Sequence, residues 1–291
     1  MKKLLITGSS GFLGWNLCQI AREEWQVYGT YFSQPVEIPE INLLQSDLRK
    51  FEELKRLFEE IKPNAVIHAA AQSQPNYCQT HPEESHEINV TASCNIAGLC
   101  ADYSIPCVFT SSDLVFNGLN SPYRETDPVS PVSIYGEQKV LAEEGMLERY
   151  PQTAICRMPL MFGDGGPAAN SFIQPMLESL RKGQELALFT DEFRTPVSGQ
   201  TAAKGLLLAL EKVNGRIHLG GKERISRYDF FRLLVEVLGL DEAKIITCRQ
   251  QDVKMAAPRP PDVSLDSSKA YSLGYQPPSL REEFEQLRGK V

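Results

Sequence analysis

Tyr135 and Lys139 are the residues in this sequence whose types and spacing most plainly offer chemistry. They stand four apart in a run from Ser133 to Glu144 that has helical character and follows Ser130-Pro131-Val132. Positions i and i+4 of a helix share a face, so a phenol and an ammonium can enter one site. A cation beside a phenol favours phenolate, and is expected to draw the tyrosine pKa below its usual value of about 10. Such a phenol can protonate an alkoxide near neutral pH. A solvated helix can carry the same pair by coincidence, so its meaning depends on what surrounds it.

The strongest of those surroundings is Gly8-Ser-Ser-Gly11-Phe-Leu-Gly14. It follows the short apolar run Lys2 to Ile6 and precedes apolar residues at helical spacing from Trp15 to Arg22, which reads as strand, tight turn, helix. Gly8 allows the bend, Gly11 lets backbone approach a pyrophosphate, and Gly14 allows close packing of helix on strand. The helix start beyond offers free N–H groups and positive partial charge to phosphate.

The remaining elements repeat this alternation. Gln26 to Phe32 reads as a second strand, and a third is expected just before Asp47-Leu48. Phe51 to Ile61 reads as an amphipathic helix stopped at Pro63, Ala65 to Ala71 as a buried strand, and Pro82 to Tyr103 as a long helix. Pro106 to Ser112 and Thr153 to Arg157 are further strands, with the Tyr135 helix between them. Strands and helices in this order predict an α/β chain with a Rossmann-type, doubly wound parallel sheet covered on both faces. The expected division is a dinucleotide-binding domain over 1–160 and a smaller substrate-binding lobe over 161–291, interleaved with the first. In that lobe Ser171 to Lys182, Gly199 to Lys212, Ser226 to Leu238 and Leu280 to Leu287 read as helices, Arg216 to Leu219 as a short strand, and Pro258-Arg-Pro-Pro261 as extended.

Composition narrows the function classes. The 291 residues are 42% hydrophobic and 23% charged, with a net charge of −7, so no basic excess exists to neutralise the phosphates of a nucleic acid. The seven cysteines are scattered without a CxxC, which fits reduced thiols better than disulfides or zinc. No run reads as a membrane span, and Met1 to Ile6 is too short an apolar stretch for a signal peptide. A cytoplasmic protein is expected.

Taken together, GxxGxxG, YxxxK and the serine-bearing strand resemble the extended short-chain dehydrogenase/reductase family over essentially the whole chain. The resemblance is closest to the branch holding dTDP-4-dehydrorhamnose reductase and the regulatory beta subunit of methionine adenosyltransferase. Phe109 to Gly118 matches that branch's strand end, with Leu114 and Asn117 where tyrosine and aspartate are usual. Pro122 to Asp127, Arg157-Met-Pro159 with Phe162-Gly163, and Asp191 to Pro196 also look like stations of the branch.

The resemblance implies Ser112, Tyr135 and Lys139 as the catalytic group. Ser112 would hydrogen-bond the substrate carbonyl, with Ser111 as its support, although spacing does not decide between the two serines. Tyr135 would deliver the proton, and Lys139 would also hold the nicotinamide ribose. The implied cofactor-binding set is Gly8, Ser10, Gly11, Phe12, Leu13, Gly14, Tyr31, Asp47, Leu48, Ala69, Ala70, Ala71 and Ser111, with Tyr135 and Lys139. Asn89 either supports the lysine through water or faces solvent. The end of strand two, Gly29 to Ser33, has no acid to bind a ribose hydroxyl and no arginine for a 2′-phosphate, so the choice leans to NADP and leaves NAD open.

No metal is expected, because Asn16 stands where rhamnose-forming reductases carry a glutamate. His68 reads as packed in its strand and His81 and His86 as solvated, while Glu23-Glu24, Glu59-Glu60 and Glu143-Glu144 read as ordinary helix faces. The implied activity is reduction of a nucleotide-linked 4-keto-6-deoxy sugar. Its rival is a cofactor-binding regulatory subunit similar to the beta subunit named above. The expected partner is a small molecule, with a homodimer compatible with the branch.

Overall fold

The computed structural model describes residues 1–167, 169–241 and 244–291. Strand β1 (Lys3–Thr7) shows why the core is two-sided: Leu4 and Ile6 enter one hydrophobic cluster and Leu5 the other. Successive strand residues point to opposite faces, so a run that is apolar at every position must be covered on both. Helix α1 (Phe12–Ala21) follows, then β2 (Gln26–Tyr31), β3 (Asn42–Gln45), α2 (Phe51–Ile61) and β4 (Ala65–His68). Short helices α3 (Pro75–Thr80) and α4 (Pro82–His86) lead into α5 (Ala92–Asp102), strand β5 (Cys107–Ser112), helix α6 (Ile134–Arg149) and strand β6 (Ala154–Met158).

All strands of the main sheet run parallel, and Gly215–His218 supplies the seventh. Their order is Gly215–His218, β6, β5, β4, β1, β2, β3. The order reverses between β1 and β4, and a doubly wound sheet opens its crevice at the strand ends of such a reversal. Helix α2 begins and ends where its sequence dictates: Leu54, Leu57, Phe58 and Ile61 are buried, and Lys62 turns left-handed at φ 52° before Pro63.

Beyond β6 come α7 (Ile173–Arg181), α8 (Gly199–Lys212) and α9 (Arg227–Leu238), then the final helix Leu280–Glu285. Helix α8 packs on the main sheet beside α1, while α7, α9 and the final helix bury a separate core. The rings of Phe162, Phe230 and Phe284 meet in that core with centroids 5.0 to 5.1 Å apart. The α9 start expected at Ser226 is present, with the Ser226 hydroxyl accepting from the Asp229 amide.

Three features differ from the sequence expectation. The stretch after β4 holds the additional helix α3, started by Pro75. The long helix from Pro82 is interrupted by a wide π turn at Glu87–Thr91. Among the described residues, three two-stranded pairs lie outside the main sheet and have no counterpart in the sequence expectation: Leu186–Phe189 with Ile245–Cys248 and Met161–Phe162 with Val197–Ser198, both parallel, and Phe193–Arg194 with Ile225–Ser226, antiparallel. The cysteines are all free, and all but Cys248 are buried. No helix among the described residues is long and apolar enough to cross a membrane.

Candidate active site

The C-terminal ends of β1 to β6 open onto one cleft of about 630 Å³. Every residue expected to act lines it: Gly8, Ser10, Gly11, Phe12, Leu13 and Gly14 of the turn, Tyr31, Asp47 and Leu48, Ala69 to Ala71, Ser111, Ser112, Tyr135 and Lys139. The structure thus gathers six separate segments into a single site.

The glycine turn is held by the Gly11 amide donating to the Gly8 carbonyl at 3.0 Å. Gly8 sits at φ +73°, where a Cβ would lie 2.7 Å from the Ala70 Cα, and a Cβ on Gly14 would overlap the Gly8 carbonyl. Helix α1 starts at Gly11 with no side-chain cap and no acid in its first turn. A side-chain-free turn leading to an uncapped helix start fits the pyrophosphate of a dinucleotide. The Thr7 hydroxyl ties this turn to the neighbouring strand end. It accepts from the amides of Ala69 and Ala70, at 3.2 Å each, and so must donate to His68 Nδ1 at 2.6 Å. His68 Nε2 then carries the proton and donates to Ser93 at 2.9 Å, whose own hydroxyl donates to the Asn89 carbonyl. Burial pushes His68 down to about 3, so it stays neutral and structural.

Helix α6 begins at Ser133, whose hydroxyl accepts from the Gly136 amide, and it presents Tyr135 and Lys139 on its buried face. The Lys139 ammonium donates to the Thr110 carbonyl at 2.8 Å and lies 5.8 Å from the centre of the Tyr135 ring. Its pKa is pushed down to about 8 by burial, against which Cys78 and Glu143 act. The Tyr135 phenol behaves otherwise than the i, i+4 spacing predicted. Burial, followed by Asp113 and then Cys78, pushes its pKa up, and only the Ser112 hydroxyl pulls it back. The lysine points its charge at a backbone carbonyl, so the site holds a neutral, protonated phenol. Ser112 accepts from the Leu114 amide and donates to Asp113 Oδ1, each at 3.1 Å.

Ser111 and Ser112 separate cleanly. Ser111 lines the cleft, but its hydroxyl donates to Glu143 at 2.6 Å on a buried network beneath. Glu143 there receives a two-pronged bond from Arg157, at 2.9 and 2.8 Å, and another from Arg216 at 3.0 Å. This corrects the reading of Glu143-Glu144 as a solvated face: Glu143 is one turn beyond Lys139 on the same buried side and is 1% exposed. Asn89 is buried too. Its side chain accepts from the Gln72 amide and donates to the Gln72 carbonyl and to Gln138, bracing the loop after β4 against α6. Asn16 donates to the Asp164 carbonyl at 2.8 Å, linking α1 to the following lobe. Among the described residues no cluster of three or more His, Cys, Asp or Glu is arranged for a metal.

One part of the cleft was not legible beforehand. Glu192, Arg194 and Arg259 also line the cleft, Arg194 on the Asp113 side, and Arg227 pairs with Glu192. Glu192 pairs with Arg194 at 3.4 Å and Arg227 at 3.9 Å, and Arg194 also reaches Asp113 at 3.7 Å. Arg227 Nη1, Arg259 Nε and Asp113 Oδ2 are buried with no hydrogen-bond partner among the described residues. Burial, the largest cause in each case, pushes Asp113 up to about 6 and Arg227 down to about 10. The signal available was Arg194 inside the Asp191-to-Pro196 station and Arg259 between prolines, where a rigid extended backbone holds a long cationic side chain.

Residues 1–290 match the family described as the RmlD substrate binding domain. The chain belongs to that family. It is 30% identical over 288 residues to a probable low-salt glycan biosynthesis reductase, Agl14, of Haloferax volcanii, covering 97% of this chain and 96% of the relative. It is 27% identical over 284 residues to methionine adenosyltransferase 2 subunit beta of Bos taurus, covering 94% and 83%. The fold superimposes on a dTDP-4-dehydrorhamnose reductase of Bacillus anthracis in complex with NADP, with a TM-score of 0.88 at 21% identity and 99% of each chain covered. The RmlD-like extended short-chain dehydrogenase/reductase branch expected from the sequence is therefore the one to which the chain is assigned.

Proposed function

We propose that this chain is an NAD(P)H-dependent oxidoreductase that reduces the ketone of a nucleotide-linked 4-keto-6-deoxy sugar. The observation that carries this reading is the meeting of three chemistries in one cleft. The glycine turn, the Ser112, Tyr135 and Lys139 group, and the guanidinium groups of Arg194 and Arg259 all line it, with Arg227 paired to the lining residue Glu192. When bound, a reduced nicotinamide supplies the hydride, which no side chain can do. The turn and the uncapped start of α1 hold the dinucleotide pyrophosphate. Ser112, its hydroxyl proton turned from Asp113, donates to the substrate carbonyl, and Tyr135, kept neutral by burial, gives its proton to the developing alkoxide. Lys139, fixed on the Thr110 carbonyl, holds the ribose. The unpartnered N–H groups of Arg227 and Arg259 suit the diphosphate of a nucleotide-sugar, covered by the lobe from residue 161 onward. The test is NADPH consumption with dTDP-4-dehydro-L-rhamnose beside Tyr135→Phe. The variant should lose about 10²- to 10⁴-fold in rate while still binding NADPH. NADPH binding by the wild type without turnover of this or related keto-sugars overturns the substrate assignment.

The second reading is a cofactor-binding regulatory subunit, favoured by the 27% identity to methionine adenosyltransferase 2 subunit beta. It predicts a shifted gel-filtration peak on mixing with a methionine adenosyltransferase catalytic subunit, and no ketone turnover. The same column, run on the pure chain, reads whether it forms a homodimer.

A further inference from the structure

The end of β2 has neither an acid nor an arginine in its own sequence, yet the fold brings an arginine to it. Strand β3 pairs with β2 in parallel, Tyr31 opposite Gln45, so the loop leaving β3 runs beside the loop leaving β2. The Arg49 guanidinium consequently lies 5.0 Å from the centre of the Phe32 ring, on the wall of the cleft that also carries Ser10 and Tyr31. Asp47 holds it there. Its Oδ1 accepts from Arg49 Nε at 2.8 Å and from the Arg49 amide at 3.2 Å, and its Oδ2 accepts from Nη2 at 2.8 Å.

The geometry points to Arg49, clamped between Asp47 and Phe32, as the residue that selects a 2′-phosphorylated dinucleotide over an unphosphorylated one. This rests on the cofactor reading proposed above and deepens it. A guanidinium has five N–H donors in a fixed fork, and Asp47 takes two of them, so three are without a partner among the described residues. A phosphate monoester presents oxygens that such a fork can bind with charge assistance. A ribose 2′-hydroxyl asks instead for an acceptor, and Gly29 to Gln34 contain no carboxylate. Asp47, the carboxylate beside Arg49 on the cleft wall, is already bonded to it. The arrangement therefore offers donors to a 2′-phosphate, while the carboxylate beside them is already taken up by the guanidinium. Phe32 is 55% exposed and Arg49 is a third exposed, so a ligand can reach the pair without the core moving.

Equilibrium titration of the pure protein tests this without turnover, using NADPH against NADH and 2′,5′-ADP against ADP. The wild type should bind the 2′-phosphorylated member of each pair about 10-fold or more tightly. Arg49→Gln should bring each ratio to within about 2-fold while leaving NADH and ADP affinities unchanged. Arg49→Lys, which keeps the charge and loses the fork, should retain an intermediate ratio and guards against a folding defect in the glutamine variant. Equal affinity for the two members in the wild type, or a ratio that survives Arg49→Gln, overturns the assignment of Arg49 alone. Failure to bind any of the four nucleotides overturns the cofactor reading as well, so the two failures are told apart.

Discussion

Glu143→Gln would remove one charge from the network beneath the cleft while preserving side-chain shape. Glu143 and Arg157 are each 1% exposed, and their two short bonds replace the water both groups lost on folding. Removing one partner of a buried pair costs about 3–5 kcal/mol, because the other charge stays buried without compensation. Arg216 adds little, since its side chain is 35% exposed and water screens it. At roughly 2 °C per kcal/mol for a chain of this size, Tm should fall by about 6–10 °C. Thermal or urea unfolding followed by circular dichroism measures it. The pH dependence gives a second reading. Burial alone would raise the Glu143 carboxyl, but the bonds and charge of Arg157, then Ser111 and Arg216, hold it below the usual carboxylate range. A lowered folded pKa contributes stability that is complete above the unfolded value and is lost as pH falls through the folded one. The gap between wild type and variant should therefore be full near neutrality and narrow in acid. Replacing both partners together, as Glu143→Leu with Arg157→Met, should cost much less than the single change. A single-variant loss under about 1 kcal/mol, or a gap that does not narrow in acid, would refute the buried-pair account.

Lys139 sets an alkaline limit. With its folded pKa lowered from 10.5 to about 8, the folded state sheds a proton before the unfolded one, so stability rises with pH between those values. Turnover should instead fall above pH about 8 as the ammonium is lost, and Lys139→Met should abolish both slopes in a pH series of melts and rates. Gly14→Ala places a Cβ onto the Gly8 carbonyl and 2.7 Å from its carbon, which only a backbone shift can relieve. It should cost about 1–3 kcal/mol and most of the NADPH affinity, whereas Gly98→Ala, with nothing within 4 Å of the new carbon, should stabilise α5 by about 0.5–1 kcal/mol. A Gly14→Ala protein that titrates with NADPH like wild type would rule out the close-packed turn.

What could be read from the sequence is what a single segment encodes by itself. The bounds of α2 follow from Leu54, Leu57, Phe58 and Ile61 on one face and Pro63 beyond its end. The turn at Gly8 is local in the same way, and the sharing of a face by Tyr135 and Lys139 is a property of one helix. What escaped depends on elements that meet only after folding. The direction of the Tyr135 pKa is set by burial and by Asp113 from the end of β5, neither visible in a YxxxK spacing. Arg194, Arg227 and Arg259 surround Glu192 from three segments separated by more than thirty residues each. Glu143 did carry a signal, since it continues the 135, 139 series by one more turn, but adjacency to Glu144 made it look solvated. The case of Arg49 is the most instructive physically. Four residues beyond Gln45 it has no sequence relation to β2, and only the parallel register setting Tyr31 opposite Gln45 places its charge over Phe32. A cofactor preference sought at the end of one strand is thus supplied by its neighbour, because in a parallel sheet the loops leaving adjacent strands emerge at the same edge.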